Sequence, residues 1–180
     1  MADVLFGDAN PGGKLPITIA RSVGHLPAFY NYKPSARRGY VAESTAPLFP
    51  FGFGLSYTTF AVSAPRLSAS RIGPDDTVKV FVDVRNTGKI RGDEVVQLYV
   101  RDVASSVTRP VKELKAFRRV TLEPGAATTV EFTLGKQAFA FWNENMQYGV
   151  EPGEFQIMSG SDSVNLQSAK LEIVAADSST

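Results

Sequence analysis

Eighteen carboxylates, one histidine and nineteen aromatic side chains are the groups of this 180-residue chain with types suited to chemistry. Two carboxylates held at a fixed separation can act as an acid/base or nucleophile pair. The adjacent pairs Asp75-Asp76 and Asp93-Glu94 sit in turns or strand starts, where neighbouring side chains point to opposite faces, so they read as solvated charge. His25 would be the base of any Ser-His-Asp arrangement, yet no G-x-S-x-G elbow marks a partner serine, and it reads as a hydrogen-bonding loop residue. Pro11-Gly12-Gly13-Lys14 looks like a phosphate loop, but the G-x-x-x-x-G-K-[ST] spacing needs Gly where Asp8 stands and Ser or Thr where Leu15 stands. A tight turn is the better reading. With no cysteine and one histidine, neither a disulfide nor a sulfur or multi-histidine metal centre can be assembled, and no cofactor is expected.

The aromatics remain. The run from Phe49 through Phe51 and Phe53 to Phe60 could stack on the flat face of a sugar. Dense Phe separated by Gly is more simply explained as a junction plug, the glycines letting one backbone approach another domain. Trp142 reads as core or interface, and Trp142 and Tyr148 are kept as weaker candidates for an exposed sugar-stacking ring.

These residues need elements to position them. Residues 2–6 read as the last turn of a helix closed by Gly7, and 14–19 as a short edge strand containing Pro16. From 21 to 54 the chain is broken by Pro27, Pro34, Pro47 and Pro50, yet too apolar for a solvated linker, which suggests a strap packed on a larger body. Beyond Ser56, period-two alternation predicts strands at 59–67, 77–84 with Val78, Val80, Val82 and Val84 on one face, 94–100 apolar on parts of both faces, 112–122, 128–134, 139–142, 153–159 and 164–174. Pro124-Gly125 supplies turn chemistry, and its loop length suits a hairpin between 112–122 and 128–134. The strand count predicts a mainly β fold, an immunoglobulin-like or fibronectin type III-like sandwich with an irregular N-terminal extension. A net charge of +1 with scattered basic residues leaves no footprint for nucleic acid or an anionic membrane, and no apolar run reaches spanning length. The absence of an export signal leaves the compartment undefined.

Gly7-Asp8-x-Asn10-Pro11-x-Gly13-Lys14-Leu15-Pro16, followed by Pro50-Phe51-Gly52-x-Gly54-Leu55-Ser56-Tyr57-Thr58-x-Phe60, resembles the C-terminal part of glycoside hydrolase family 3 enzymes. The resemblance continues through Asn86-Thr87-Gly88, Glu94-Val95-Val96-Gln97-Leu98-Tyr99, Arg109-Pro110-x-Lys112-x-Leu114, Pro124-Gly125 and Pro152-Gly153. It implies residues 1–20 as the end of an α/β sandwich domain, 21–56 as an interdomain strap, 57–175 as a fibronectin type III-like sandwich and 176–180 as a tail. It also implies a β-glucosidase or β-xylosidase parent acting by a retaining mechanism, with its nucleophile aspartate and acid/base carboxylate in segments preceding residue 1. No catalytic residue is therefore assigned here, and this chain alone is expected to be inactive. The expected role is a non-catalytic accessory and stability domain. Its partners would be the parent's barrel and α/β domains, met through Phe29, Tyr30, Tyr32, Phe49, Phe51 and Phe53. The alternative is a module that binds plant cell-wall polysaccharide.

Overall fold

The computed structural model describes residues 2–34 and 44–175. The tail expected at 176–180 lies outside them. Eight-residue alternation gives the expected strand at the centre of one sheet. In β4 (Val78–Asn86) the four valines are fully buried, while Lys79, Phe81 and Asp83 face outward, so each turn of the pleat sends one β-branched side chain into the core. Burial of each valine stabilises the fold by about 1.5–3 kcal/mol. One edge of β4 pairs with β7 (Ala127–Leu134), whose Val130, Phe132 and Leu134 join the same core.

The other edge of β4 pairs with β1 (Phe60–Val62) and β2 (Arg66–Leu67), two pieces of the single strand expected at 59–67. Pro65 cannot donate to the ladder, and the break is bridged by Ser63, whose amide donates to the Asp83 carbonyl (2.9 Å) and whose hydroxyl accepts the Asp83 amide (2.9 Å).

The second sheet runs in the order β3-β11-β10-β5-β6, with β3 (Arg71–Ile72), β5 (Gly92–Asp102), β6 (Glu113–Leu122), β10 (Gly153–Gly160) and β11 (Leu166–Ile173). All its pairings are antiparallel except that of β3 with β11. Val96, Leu98, Val100, Phe155, Ile157, Leu171 and Ile173 face the valines of β4 across a single hydrophobic core. This is a fibronectin type III-like sandwich, as expected.

Three local expectations are corrected. The Pro124-Gly125 turn does not close a hairpin: β6 belongs to the sheet of β5 and β7 to the sheet of β4, so the turn crosses between sheets. Gly125 has φ +76, as the turn chemistry requires, but Asn86 decides where the chain goes. Its amide donates to the Ala126 carbonyl, its carbonyl accepts from Gly125, and its side chain donates to the Leu122 carbonyl, which fastens both ends of the turn to the end of β4. The strand expected at 139–142 is a helical turn, α2 (Lys136–Phe139), followed by β8 (Phe141–Trp142), which pairs with β9 (Tyr148–Gly149) in a separate ribbon. The edge strand expected at 14–19 is not continuous. Leu15 exchanges backbone bonds with Gly52 and Phe53, and Ile19 with Leu48 and Phe49, but between them Pro16 has no donor and Phe53 turns back to bond the Pro50 carbonyl. At the N-terminus, α1 (Ala2–Phe6) ends at Gly7, whose φ is +88.

Candidate functional site

The outer face of β5 explains why that strand reads as apolar on both sides. Gln97 and Tyr99 alternate with the core-facing Val96, Leu98 and Val100, yet both are buried, because the strap lies across them. Tyr30 stacks on Phe51 with ring centroids 4.3 Å apart and meets Tyr99 edge-on at 5.7 Å. The Tyr30 hydroxyl accepts the Leu114 amide at 3.1 Å, and the Tyr99 hydroxyl donates to Gln97 Oε1 at 2.6 Å. Gln97 Nε2 then donates to the carbonyls of Gly52 (3.1 Å) and Ser161 (2.6 Å), so one buried amide ties strap, sheet and the turn after β10 together. Burial and the neighbouring Tyr30 and Asp162 push the Tyr99 hydroxyl far above its ordinary value, which keeps it a donor.

Gly52 is required at this contact. Its φ is +79, and a Cβ there would sit 2.1 Å from Gln97 Oε1. A Cβ on Gly54 would sit 2.3 Å from the Gly13 carbonyl. The glycines of the Phe-Gly run thus let the strap approach the sandwich at Gln97 and the 13–14 segment, which the resemblance assigns to the preceding α/β domain.

Polar groups from the first sequence motif fasten the segment before the strap to the strap's C-terminal end and to the sandwich. Asn10 Nδ2 donates to the Arg91 carbonyl (3.1 Å), and Asn10 Oδ1 accepts from the Tyr57 amide (2.8 Å) and the Ser56 hydroxyl (3.1 Å). Lys14 Nζ lies 2.8 Å from Glu94 Oε1, with both side chains largely buried. Asp93 turns instead to Arg119 and Thr121, whose hydroxyl donates to it at 2.6 Å. The adjacent carboxylates therefore serve different partners. Asp75 and Asp76 also separate: Asp75 pairs with Lys136 (2.7 Å), and Asp76 accepts the Gly73 amide (2.8 Å). Among the described residues no three His, Cys, Asp or Glu side chains gather as a metal site, and no helix is long and apolar enough to cross a membrane. His25 is buried in a short 3-10 turn (Val23–His25).

The six aromatics expected to meet another domain divide into two kinds. Tyr30, Tyr32, Phe51 and Phe53 are half-buried, Tyr30 and Phe51 against the sandwich itself. Phe49, stacked on Phe53 at 5.0 Å, and Phe29 are exposed. Exposed with them on the same N-terminal segment are Leu5, Phe6, Ile17, Leu48 and Leu55. Between strap and sandwich lies a cleft of about 500 Å³ walled by Phe29, Tyr30 and Tyr32. Lys112 lines it and donates to the Ser163 carbonyl, and burial lowers its ammonium below the ordinary lysine value.

Trp142 and Tyr148 stand elsewhere. They are cross-strand partners in the β8-β9 ribbon, 60% and 52% exposed, with centroids 5.4 Å apart and ring planes tilted by 53°. Below them Phe141 is buried under the Arg109 guanidinium, 4.4 Å from the ring centroid. Arg109 also pairs with Glu113 at 2.6 Å and lies 3.7 Å from the buried Asp102. Burial pushes the Asp102 carboxyl up, against the pull of Arg109.

A fibronectin type III-like sandwich carrying an N-terminal segment locked across one sheet defines the class, and comparison with known sequences gives the family. Residues 94–163 match the fibronectin type III-like domain and residues 1–57 the glycosyl hydrolase family 3 C-terminal domain. The chain is 45% identical over 97% of its length to the periplasmic beta-glucosidase of Salmonella typhimurium, covering 24% of that protein. It is 48% identical over 91% of its length to a beta-xylosidase of Formosa agariphila, covering 23% of it. Among solved structures, a β-glucosidase from Erythrobacter marinus superposes with a TM-score of 0.93 at 49% identity, over 96% of this chain and 23% of that one. The chain belongs to glycoside hydrolase family 3 and corresponds to the C-terminal part of its members. It spans about a quarter of the length of these relatives.

Proposed function

We propose that this segment is a non-catalytic accessory domain that stabilises a family 3 glycosidase, a β-glucosidase or β-xylosidase that removes terminal sugars by a retaining double displacement. The observation that carries the reading is the two-sided strap. Its inner side is locked to the sandwich by Tyr30, Phe51 and Gln97, while its outer side presents Phe29, Leu48 and Phe49 to the surroundings, beside Ile17 of the preceding segment. A rigid body that holds an apolar surface in a fixed place suits a support for neighbouring domains, here the barrel and α/β sandwich domains implied by the family. The division into a segment 1–20 belonging to the α/β domain, a strap 21–56 and a sandwich 57–175 follows the same reading. The polar network supports it as well, since each carboxylate pair is split between structural partners.

The test is release of p-nitrophenol from its β-glucoside and β-xyloside by the purified chain, beside the full-length enzyme carrying Tyr30→Ala. The expected result is no hydrolysis by the chain, and a full-length variant that unfolds at lower temperature with an unchanged KM. Hydrolysis by the chain above a contamination control would overturn the reading.

A further inference from the structure

The exposed aromatics of the β8-β9 ribbon are not part of the strap surface. The N-terminal segment is fastened beside the start of β5 by Asn10 and Arg91, whereas the ribbon packs beside its end, through Arg109 and Asp102. The eleven residues of β5 at about 3.3 Å each separate the Asn10–Arg91 fastening from the ribbon by roughly 30 Å, while the strap's own aromatics reach β5 at Tyr99 and the backbone at Val111. Nothing in the core requires Trp142 or Tyr148, because Phe141 and the Arg109 pairings already anchor the ribbon.

The tip is pre-organised. Asn143 Oδ1 accepts the amides of Asn145 (3.0 Å) and Gln147 (2.9 Å), and the Asn143 amide donates to the Gln147 carbonyl (3.0 Å). Met146 holds a left-handed φ of 58. The side chains of Glu144, Asn145 and Gln147 are exposed and make no hydrogen bond among the described residues. Two rings with free amide and carboxylate groups around them match a ligand with apolar faces and hydroxyl edges. A nine-residue ribbon is too small to supply the roughly 800 Å² per partner of a stable protein interface.

From this geometry we infer that Trp142 and Tyr148 form a carbohydrate contact site for a soluble β-linked pyranose chain whose successive rings are turned relative to one another. The tilt selects the ligand. In a flat two-fold ribbon such as cellulose, successive ring faces are parallel, so planes inclined by 53° cannot both lie on them. A twisted chain such as xylan turns each ring relative to the last, and two inclined side chains can each cover one face. CH/π contact and the hydrophobic effect supply the attraction, and the fixed turn limits the ordering cost.

Trp142 is the chain's single tryptophan, so its fluorescence reports the site directly. Titration of the purified chain with xylohexaose is expected to give a saturable blue shift of emission, with cellohexaose at least tenfold weaker. Affinity electrophoresis through soluble xylan should retard the wild type and the control Phe117→Ala, an exposed ring on β6, while W142A and Y148A lose retardation with unchanged melting temperature. Absence of both the shift and the retardation overturns the proposal. So does equal binding to insoluble cellulose. An emission shift that follows protein concentration without sugar, and vanishes on sedimentation of monomer, would assign the rings to contact with a second copy and equally overturn it.

Discussion

Asn86 is fully buried and uses its side-chain amide completely. Nδ2 donates to the carbonyls of Ile90 (2.8 Å) and Leu122 (2.9 Å), and Oδ1 accepts from the Thr58 hydroxyl (2.7 Å) and the Gly88 amide (3.1 Å). Gly88 follows from this knot, since a Cβ there would sit 2.1 Å from Thr58 Oγ1. Asn86→Ala strands several buried groups at about 1–3 kcal/mol each, so a loss of at least about 3 kcal/mol is expected in urea unfolding. Asn86→Asp places an anion against two carbonyls, and its deficit should shrink on acidification. Two other carboxyls give opposite pH signatures. The Thr121 hydroxyl, then Arg119, hold Asp93 below its ordinary 3.8, so its contribution is present above that value and lost as pH falls through the lowered one. Burial raises Asp102, so the folded state keeps its proton longer than the unfolded chain, and stability drops as pH rises from 3.8 through the raised value. Urea midpoints from pH 3 to 7 should show Asp93→Asn flattening the acid-side loss and Asp102→Asn flattening the decline on the other side.

At the scale of elements, the seam between strap and β5 governs accessibility. Tyr30→Ala removes a ring packed against Phe51 and Tyr99, with an expected cost of ~2 kcal/mol, below the usual core value because the ring is half-buried. Gly52→Ala acts differently: it must displace Gln97 from a fixed backbone contact at positive φ. Both variants should free the strap before the sandwich unfolds. Trypsin is then expected to cut at Lys14 several-fold faster, and hydrogen exchange to rise at Leu15, Ile19 and Gly52 while the β4 amides stay protected. Equal exchange at strap and β4 would show that the strap is not a separate unit.

For the whole molecule, the exposed apolar groups gather on the N-terminal segment: Leu5, Phe6, Ile17, Leu48, Phe49 and Leu55. With a net charge of +1, little repulsion opposes their contact. The purified chain is expected to self-associate with rising concentration in sedimentation velocity, and Ile17→Lys with Phe49→Lys to keep it monomeric. A wild-type chain that stays monomeric at high concentration would remove the basis for an apolar support surface.

The alternation of Val78 to Val84 and the turn residues were enough to define a β-sandwich, because period-two burial and turn geometry are local properties written residue by residue, and the resemblance of the long motifs around Lys14 and Phe51 pointed to the family. The same local character explains what could not be read. Pro124-Gly125 specifies a turn but not which sheet receives the next strand, and that choice rests on Asn86, almost forty residues earlier. Gln97 and Tyr99 are polar or amphipathic residues of one strand that become buried only when Tyr30 and Phe51 arrive from the strap. Trp142 and Tyr148 are aromatic in the sequence like any core residue. Their exposure and tilt were decided by the packing of Phe141 beneath Arg109, a contact between segments that no local pattern encodes.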